Sequence, residues 1–315
     1  MRILITGAAG NIGSHCARFF LRTPHTVRLL VHQRNLPHDI ASHAQSEIFR
    51  GDLGSSGSIS GLCDGVDSII HFAGVLFRPN PETFLHKTNT LYVKALVDEA
   101  IAAGVGTIVL VSFPHVEGAS DPQNPAAGLL NRSPIGIHAT TRLAAEQYCI
   151  NTCAQSSTRT VVVRAGVIYG PDVKLIKAAR RLLRIRMMAI WNTPTWLHLI
   201  ALPDLLDILG CVVENERLNG IYNVCDDEPL FLQDFLDLLA RHWGYSVPWR
   251  LPPWSFHAAA TACELTASVL HTPTPLTRDI LTMAMTSVVA DVSRMKREIG
   301  YSLRYPSIRQ GIALL

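Results

Sequence analysis

The sequence predicts an α/β protein built on a doubly wound parallel sheet, followed by a smaller α+β lobe. Three observations carry this reading. Short apolar runs rich in Val, Ile and Leu alternate with longer amphipathic stretches through about the first 170 residues, as expected of a parallel sheet covered by helices. A turn spaced by Gly7, Gly10 and Gly13 joins the first apolar run to the first amphipathic one. The alternation stops near residue 166, and all five tryptophans (Trp191, Trp196, Trp243, Trp249, Trp254) fall beyond it.

Strands are expected at 2–6, 26–32, 46–50, 67–72, 106–112 and 159–165. Helical patterns fill 11–23, 55–63, 82–103 and 134–155, the last entered through Pro134. Crossovers of this length imply right-handed βαβ units. Beyond them, helical patterns at 173–187, 203–214, 231–243, 254–270 and 293–300 mix with short strands such as Gly220–Val224. The expected division is 1–170 for a dinucleotide-binding domain and 171–315 for a substrate lobe, some of whose strands return to the main sheet. No low-complexity linker separates the two, so they should pack intimately.

With 48% apolar and 17% charged residues in 315, disorder is excluded. A net charge of +3 is too small to argue for a nucleic-acid partner. The seven cysteines form no Cys-x-x-Cys pair and read as core residues of a reducing compartment, with no metal site. A first strand at residue 2 leaves no room for a signal peptide, and no apolar run approaches a membrane span, so a cytoplasmic protein is expected. Attachment to a membrane surface stays open.

The run Thr6-Gly7-Ala8-Ala9-Gly10-Asn11-Ile12-Gly13 has the chemistry of a phosphate cradle. Gly7 permits a tight turn, Gly10 lets the backbone approach a pyrophosphate, and Gly13 lets helix and strand pack closely. Free N–H groups and the helix dipole favour the anion. Ala9, Asn11 and Ile12 complete this part of the expected cofactor site.

This spacing, with Gly51-Asp52-Leu53, Asp64-Gly65-Val66-Asp67, His71-Phe72-Ala73-Gly74 and Arg164-Ala165-Gly166-Val167-Ile168-Tyr169-Gly170-Pro171, resembles the extended and atypical short-chain dehydrogenase/reductase superfamily. Its members include sugar-nucleotide epimerases, dehydratases and 3β-hydroxysteroid dehydrogenases. The resemblance implies a Rossmann-type fold and a nicotinamide cofactor. It sets Asp52 and Leu53 against the adenine, and Phe72, Ala73, Gly74, Ala165, Gly166 and Val167 beside the nicotinamide. Gly220–Val224 and 273–279 fall where such proteins have similar strings in the substrate lobe. The second strand ends in Leu30-Val31-His32-Gln33-Arg34, without the acid that usually meets the ribose of NAD. His32 and Arg34 therefore tilt the expectation toward NADP over NAD.

The superfamily's chemistry rests on Tyr-x-x-x-Lys with an upstream Ser or Thr. Aligned on Leu143–Gln147, the Tyr position holds His138 and the Lys position Arg142, while Phe113 takes the Ser or Thr position and Glu117 that of a tyrosine. Either the chain binds a dinucleotide without chemistry, as a sensor, or other groups have taken over. In the second case His138 is the general acid/base. Arg142 then anchors the ribose and supplies a fixed charge, and Ser112 and His115 contact substrate.

The basic run from Lys174 to Arg186 reads as a solvated face, a phosphate contact or an anionic membrane surface. The apolar stretches Met187–Trp191 and Trp196–Leu199 point to a small apolar substrate or to ordinary core. Asp204 reads as part of a helix N-cap, and Asp226, Asp227 and Glu228 as a solvated turn. The helices at 82–103 and 134–155 could pair two copies, as in many relatives of this type. The expected function is an NAD(P)-dependent oxidoreductase acting on an apolar carbonyl or alcohol. The alternatives are an epimerase or dehydratase, or a silent sensor.

Overall fold

The computed structural model describes residues 1–72, 74, 80–270, 274 and 276–315, without the side chains of 268–270. Six strands, β1 (Arg2–Thr6), β2 (Thr26–Val31), β3 (Ser46–Arg50), β4 (Ser68–His71), β5 (Thr107–Ser112) and β6 (Arg159–Ala165), join Gly220–Val224 in a seven-stranded sheet. The order across the sheet is Gly220–Val224, β6, β5, β4, β1, β2, β3. Every pairing is parallel, with Arg2 opposite Thr26 and Ile3 opposite Ser68. The order reverses between β1 and β4, which opens the crevice where ligands of such sheets bind.

Among the described residues the α-helices are α1 (Asn11–Phe20), α2 (His38–Ala41), α3 (Tyr92–Ala102), α4 (Ile137–Cys153), α5 (Lys174–Arg184), α6 (Leu202–Glu214), α7 (Leu232–His242), α8 (Pro253–Leu270), α9 (Arg278–Met285) and α10 (Ile308–Gly311). Strand side chains alternate between the two faces. Ile3, Ile5, Val161 and Val163 enter one apolar cluster with Phe20, Leu205 and Phe235; Leu4, Ile69, Val162 and Cys149 enter the other with Leu96. With both faces covered, the strands read as continuous apolar runs rather than alternating ones.

Several elements differ from the sequence reading. The pattern at 55–63 is a single tight turn, Ser56–Ser58, followed by loop, because Ser and Gly fill it and Gly61 takes a positive φ of 75°. The 82–103 pattern breaks into a turn at Pro81–Thr83, a wide turn at His86–Leu91 and α3. The 293–300 pattern is one wide turn, Met295–Ile299. The short helices α2 and α9 were not foreseen. Neither were the strand pairs Val167–Tyr169 with Leu199–Ala201, Trp196–Leu197 with Leu230–Phe231, and Ala189–Trp191 with Trp249–Leu251.

Two acids also differ. Asp204 is fully buried and accepts from the Tyr301 hydroxyl (2.9 Å) and the N–H groups of Arg304 (2.8 Å) and Tyr305 (3.0 Å), so it anchors the C-terminal segment instead of capping α6. Asp226 is not solvated but fully buried, and neither carboxyl oxygen has a hydrogen-bond partner among the described residues, His198 Nε2 standing 3.6 Å from Oδ1. His198 lies beside it, its Nε2 2.9 Å from the Asp226 carbonyl oxygen while its Nδ1 accepts from Ala290 N–H (3.1 Å). Burial holds this pair neutral, raising Asp226 to about 8 and lowering His198 to about 4.

Candidate active site

The glycine turn has the geometry its spacing implies. Gly7 adopts φ 74° and its carbonyl accepts from Gly10 N–H at 2.8 Å. A Cβ on Gly10 would stand 2.9 Å from the Gly7 oxygen; one on Gly13 would stand 2.2 Å from it. Gly10 caps α1 without a side-chain bond, and the first turn holds no acid. Its N–H groups are therefore left for an anion. Thr6 Oγ1 and His71 Nδ1, 2.8 Å apart, close the floor between β1 and β4.

The other expected cofactor residues sit at the same C-terminal edge of the sheet, with different local ties. Ala9 and Ile12 lie in the turn and first turn of α1, half-buried. The Asn11 side chain does not face the crevice as expected; it donates to the Asp172 carbonyl (3.0 Å) and accepts from Lys174 N–H (2.7 Å), clasping the loop before α5. His32 and Arg34 are exposed, and His32 Nε2 is 3.6 Å from Asp52 Oδ2. Asp52 Oδ1 accepts from Gly54 N–H (2.8 Å), and Leu53 is buried in the second apolar cluster. Phe72 N–H bonds the Thr6 carbonyl (3.2 Å), while Ala73 lies outside the described residues. Ala165, Gly166 and Val167 end β6 and begin the next strand; a Cβ on Gly166 would meet the His198 carbonyl oxygen at 2.7 Å.

His138 and Arg142 lie four residues apart on α4, both buried. Gly136, at φ 85°, has no side chain to cap this helix, and Asp279 of α9 caps it instead, accepting from Ile137 N–H at 2.9 Å. The C-terminal lobe thus fixes the first turn, which carries His138. The Asn89 amide orients the imidazole. Thr141 Oγ1 donates to the Ile137 carbonyl (2.8 Å), so it must accept from Asn89 Nδ2 (3.1 Å). The same nitrogen faces His138 Nδ1 at 3.3 Å.

Four buried polar atoms here have no partner among the described residues: His138 Nε2, Arg142 Nε and Nη1, and Asn89 Oδ1. Two of these side chains reach Gly74, where a Cβ would meet Arg142 Nη2 at 3.1 Å and the unpartnered Asn89 Oδ1 at 3.7 Å. Unpaired buried polar groups are costly, so such a cluster fits a polar ligand such as a nicotinamide ribose and its substrate. Burial first, then Arg142, lowers His138 to about 4, leaving it neutral at pH 7.

Phe113, expected at the position of the customary Ser or Thr, directly follows β5 beside the two histidines. Its ring makes edge contacts with His115 (centroids 5.9 Å) and His138 (6.0 Å). Burial lowers His115 to about 4 as well. The hydroxyl of Ser112, expected to contact substrate, donates to the Glu146 carboxylate. Glu146 and Glu117 flank the fully buried Arg164, whose Nη2 is 2.6 Å from Glu146 and whose Nη1 is 2.5 Å from Glu117. Arg132, whose Nε is 3.7 Å from Glu117, and Arg142 near Glu146 add further positive charge behind the site. Asn89 and this network escaped the sequence reading; the only signal was the polar Thr88-Asn89-Thr90 inside an amphipathic stretch.

A family model described as the NAD dependent epimerase/dehydratase family matches residues 3–225. The chain is 26% identical over 203 residues to an uncharacterized UDP-glucose epimerase, YtcB, of Bacillus subtilis, covering 58% of this chain and 62% of that one. It is 27% identical over 169 residues to a ceramide reductase of Caulobacter vibrioides, covering 54% and 47% respectively. The chain therefore spans about half to three fifths of the length of these curated relatives. Among solved structures, a UDP-glucuronic acid 4-epimerase from Bacillus cereus in complex with NAD superposes with a TM-score of 0.78 at 17% identity, covering 100% of this chain and 97% of that one.

Proposed function

Because the chain belongs to the NAD dependent epimerase/dehydratase family, we propose that it is a nicotinamide-dependent enzyme working at one carbinol or carbonyl carbon. His138 serves as acid–base group and Arg142 as fixed cation. The carrying observation is the cluster of unpartnered buried atoms on His138, Arg142 and Asn89 beside Gly74. Bound nicotinamide would supply hydride acceptance and return. The N–H groups of the Gly7–Gly13 turn would hold its pyrophosphate, and Arg142 Nε and Nη1, unpartnered among the described residues, would hold ribose hydroxyls.

With Asn89 Nδ2 facing Nδ1, the resting neutral imidazole carries its proton on Nε2 and can hydrogen-bond a substrate oxygen. The proton transferred in carbonyl reduction comes from the imidazolium that the oxidative half-step leaves. In the oxidative direction Nε2 takes the hydroxyl proton, so Nδ1 must then be protonated and needs an acceptor. The unpartnered Asn89 Oδ1 supplies one when the amide turns over. Burial and Arg142 disfavour the resulting imidazolium, which speeds return of the proton.

We assign NAD as the nucleotide. The Asp52 carboxylate, 3.6 Å from His32, would repel a 2′-phosphate, and the Bacillus cereus neighbour carries NAD. The lean toward NADP finds no support in these comparisons. A UDP-linked hexose is the substrate class proposed, since two of the three proteins compared name one. The small apolar substrate expected from the sequence does not stand on them. Purified protein with NAD is incubated with UDP-glucose and UDP-glucuronic acid, products being resolved by chromatography and nicotinamide redox state followed by absorbance. His138→Gln should abolish turnover and leave nucleotide affinity within about twofold. Turnover equal to wild type in that variant refutes the assignment, and tight NAD binding with no turnover on any substrate leaves a sensor.

A further inference from the structure

Among the described residues, no helix is long and apolar enough to cross a membrane, yet one face of the C-terminal lobe carries apolar side chains with nothing over them. On α8 two stripes run at helical spacing. Phe256, Ala260, Glu264 and Ala267 face inward: Phe256 packs edge-on against Trp191, Ala260 and Ala267 are buried, and Glu264 pairs with Arg278. Trp254, Ala258, Thr261 and Leu265 point the other way, Trp254 being 70% and Leu265 64% exposed.

Three residues before Trp254, the edge strand Trp249–Leu251 pairs with Ala189–Trp191. Trp249 is 66% exposed, and its indole N–H reaches the Arg186 carbonyl at 3.3 Å. That contact sets it beside Met187, 69% exposed, and the exposed Ile185 and Val247. A hollow of about 230 Å³ lies here, lined by Leu183, Arg186, Met188, Ser246, Val247 and Trp249.

The charge of this face is one-sided. Lys174, Arg181, Arg184 and Arg186 are exposed on or just after α5, and none has an acidic partner among the described residues. Lys177 is neutralised by Asp172, and Arg180 lies over the Trp243 ring. Segments 173–203 and 238–263, which build the face, contain no Asp or Glu.

We propose that this face docks the protein on an anionic lipid surface, with Trp249, Trp254 and Met187 entering the headgroup region and Arg181, Arg184 and Arg186 meeting lipid phosphates. Exposed indoles next to arginines suit the boundary between acyl chains and headgroups. The charge argues against a second copy as occupant, because a two-fold contact through the same patch would set Arg181, Arg184 and Arg186 against their own copies. The nearby Asp172 and Asp237 are already paired with Lys177 and Arg250. The proposal does not depend on which substrate the active site takes.

The test is sedimentation of the full chain with vesicles of phosphatidylcholine alone or with about a third phosphatidylglycerol, alongside light scattering for oligomeric state. Binding to the anionic vesicles is expected, with a blue shift of tryptophan emission, and little binding to the neutral ones. Arg181→Glu with Arg184→Glu should weaken it at least tenfold, since each cation near such a surface contributes about fivefold. Trp249→Ser with Trp254→Ser should weaken it similarly. Both pairs are exposed, so melting temperature and NAD affinity should stay at wild-type values and report a folded protein. Equal or absent binding to the two vesicle types overturns the proposal. So does a dimer that the tryptophan variant dissolves.

Discussion

Gly13 offers the sharpest test of the cofactor cradle. A Cβ there would lie 2.2 Å from the Gly7 oxygen, 2.8 Å from its carbonyl carbon and 3.2 Å from Ala8 Cα, all backbone atoms. Relief needs α1 to withdraw by about 1 Å, because a carbon–oxygen contact settles near 3.2 Å or beyond. Overpacking of this kind costs about 1–3 kcal/mol, and rigid backbone on every side places Gly13→Ala at the upper end. With ~2.1 cal/mol/K of unfolding entropy per residue over 315 residues, each kcal/mol moves Tm by about 1.5 °C. A fall of about 4 °C is therefore expected by scanning calorimetry. The same 1 Å displacement carries the first-turn N–H groups out of hydrogen-bond range of a pyrophosphate, so NAD affinity by titration calorimetry should drop at least a hundredfold. Gly210→Ala is the control. It lies in α6, and its Cβ would meet only the Phe19 ring at 3.4 Å, so the helix should gain about 1 kcal/mol with NAD affinity unchanged. If Gly13→Ala binds NAD and melts like wild type, the cradle is wrongly placed.

Arg164→Met removes the buried cation shared by Glu117 and Glu146, leaving Glu117 only Arg132 at 3.7 Å, which costs about 3–5 kcal/mol and lowers Tm by roughly 5–8 °C; a change within 1 °C would contradict that role. Asp226 keeps its proton up to about 8 in the native state, against 3.8 for the free side chain. The native state thus binds more protons than the unfolded one between those values, and stability falls as pH rises, by up to about 1.4 kcal/mol per unit. Asp226→Asn should remove that slope in urea titrations between pH 5 and 8, and parallel curves for the two proteins would refute it. His138 behaves in the opposite sense, since its native value is lowered to about 4. Turnover should be flat from pH 6 to 8 and fall as pH drops through about 4, when the proton blocks Nε2. A kcat titration near 6.5 would show that the imidazole is solvated instead.

The sequence determined what is local. Gly7, Gly10 and Gly13 sit in a strand–turn–helix of a few residues, and their spacing states steric needs that the turn then obeys. The six strand runs were legible because a sheet covered on both faces leaves continuous apolar segments, and the observed bounds agree within a residue or two. That His138 and Arg142 share one face of a helix was legible because four residues make about one helical turn. What sequence could not decide is who stands opposite whom. Ser112 offers a hydroxyl in either reading, and only the packing of β5 on α4 gives it to Glu146. Asn89 became part of the site because the wide turn at His86–Leu91 places it against Thr141 and His138, some fifty positions away in the chain. Asp204 and Asp226 look solvated in a sequence, since acids usually are. Their burial depends on the C-terminal segment that folds back over them, through Tyr301, Arg304 and Tyr305 on Asp204 and through Pro306, which accepts from Asp227 N–H, beside Asp226. Local geometry sets the cofactor turn, while long-range packing decides which buried polar atoms stay unpaired, and so where chemistry can occur.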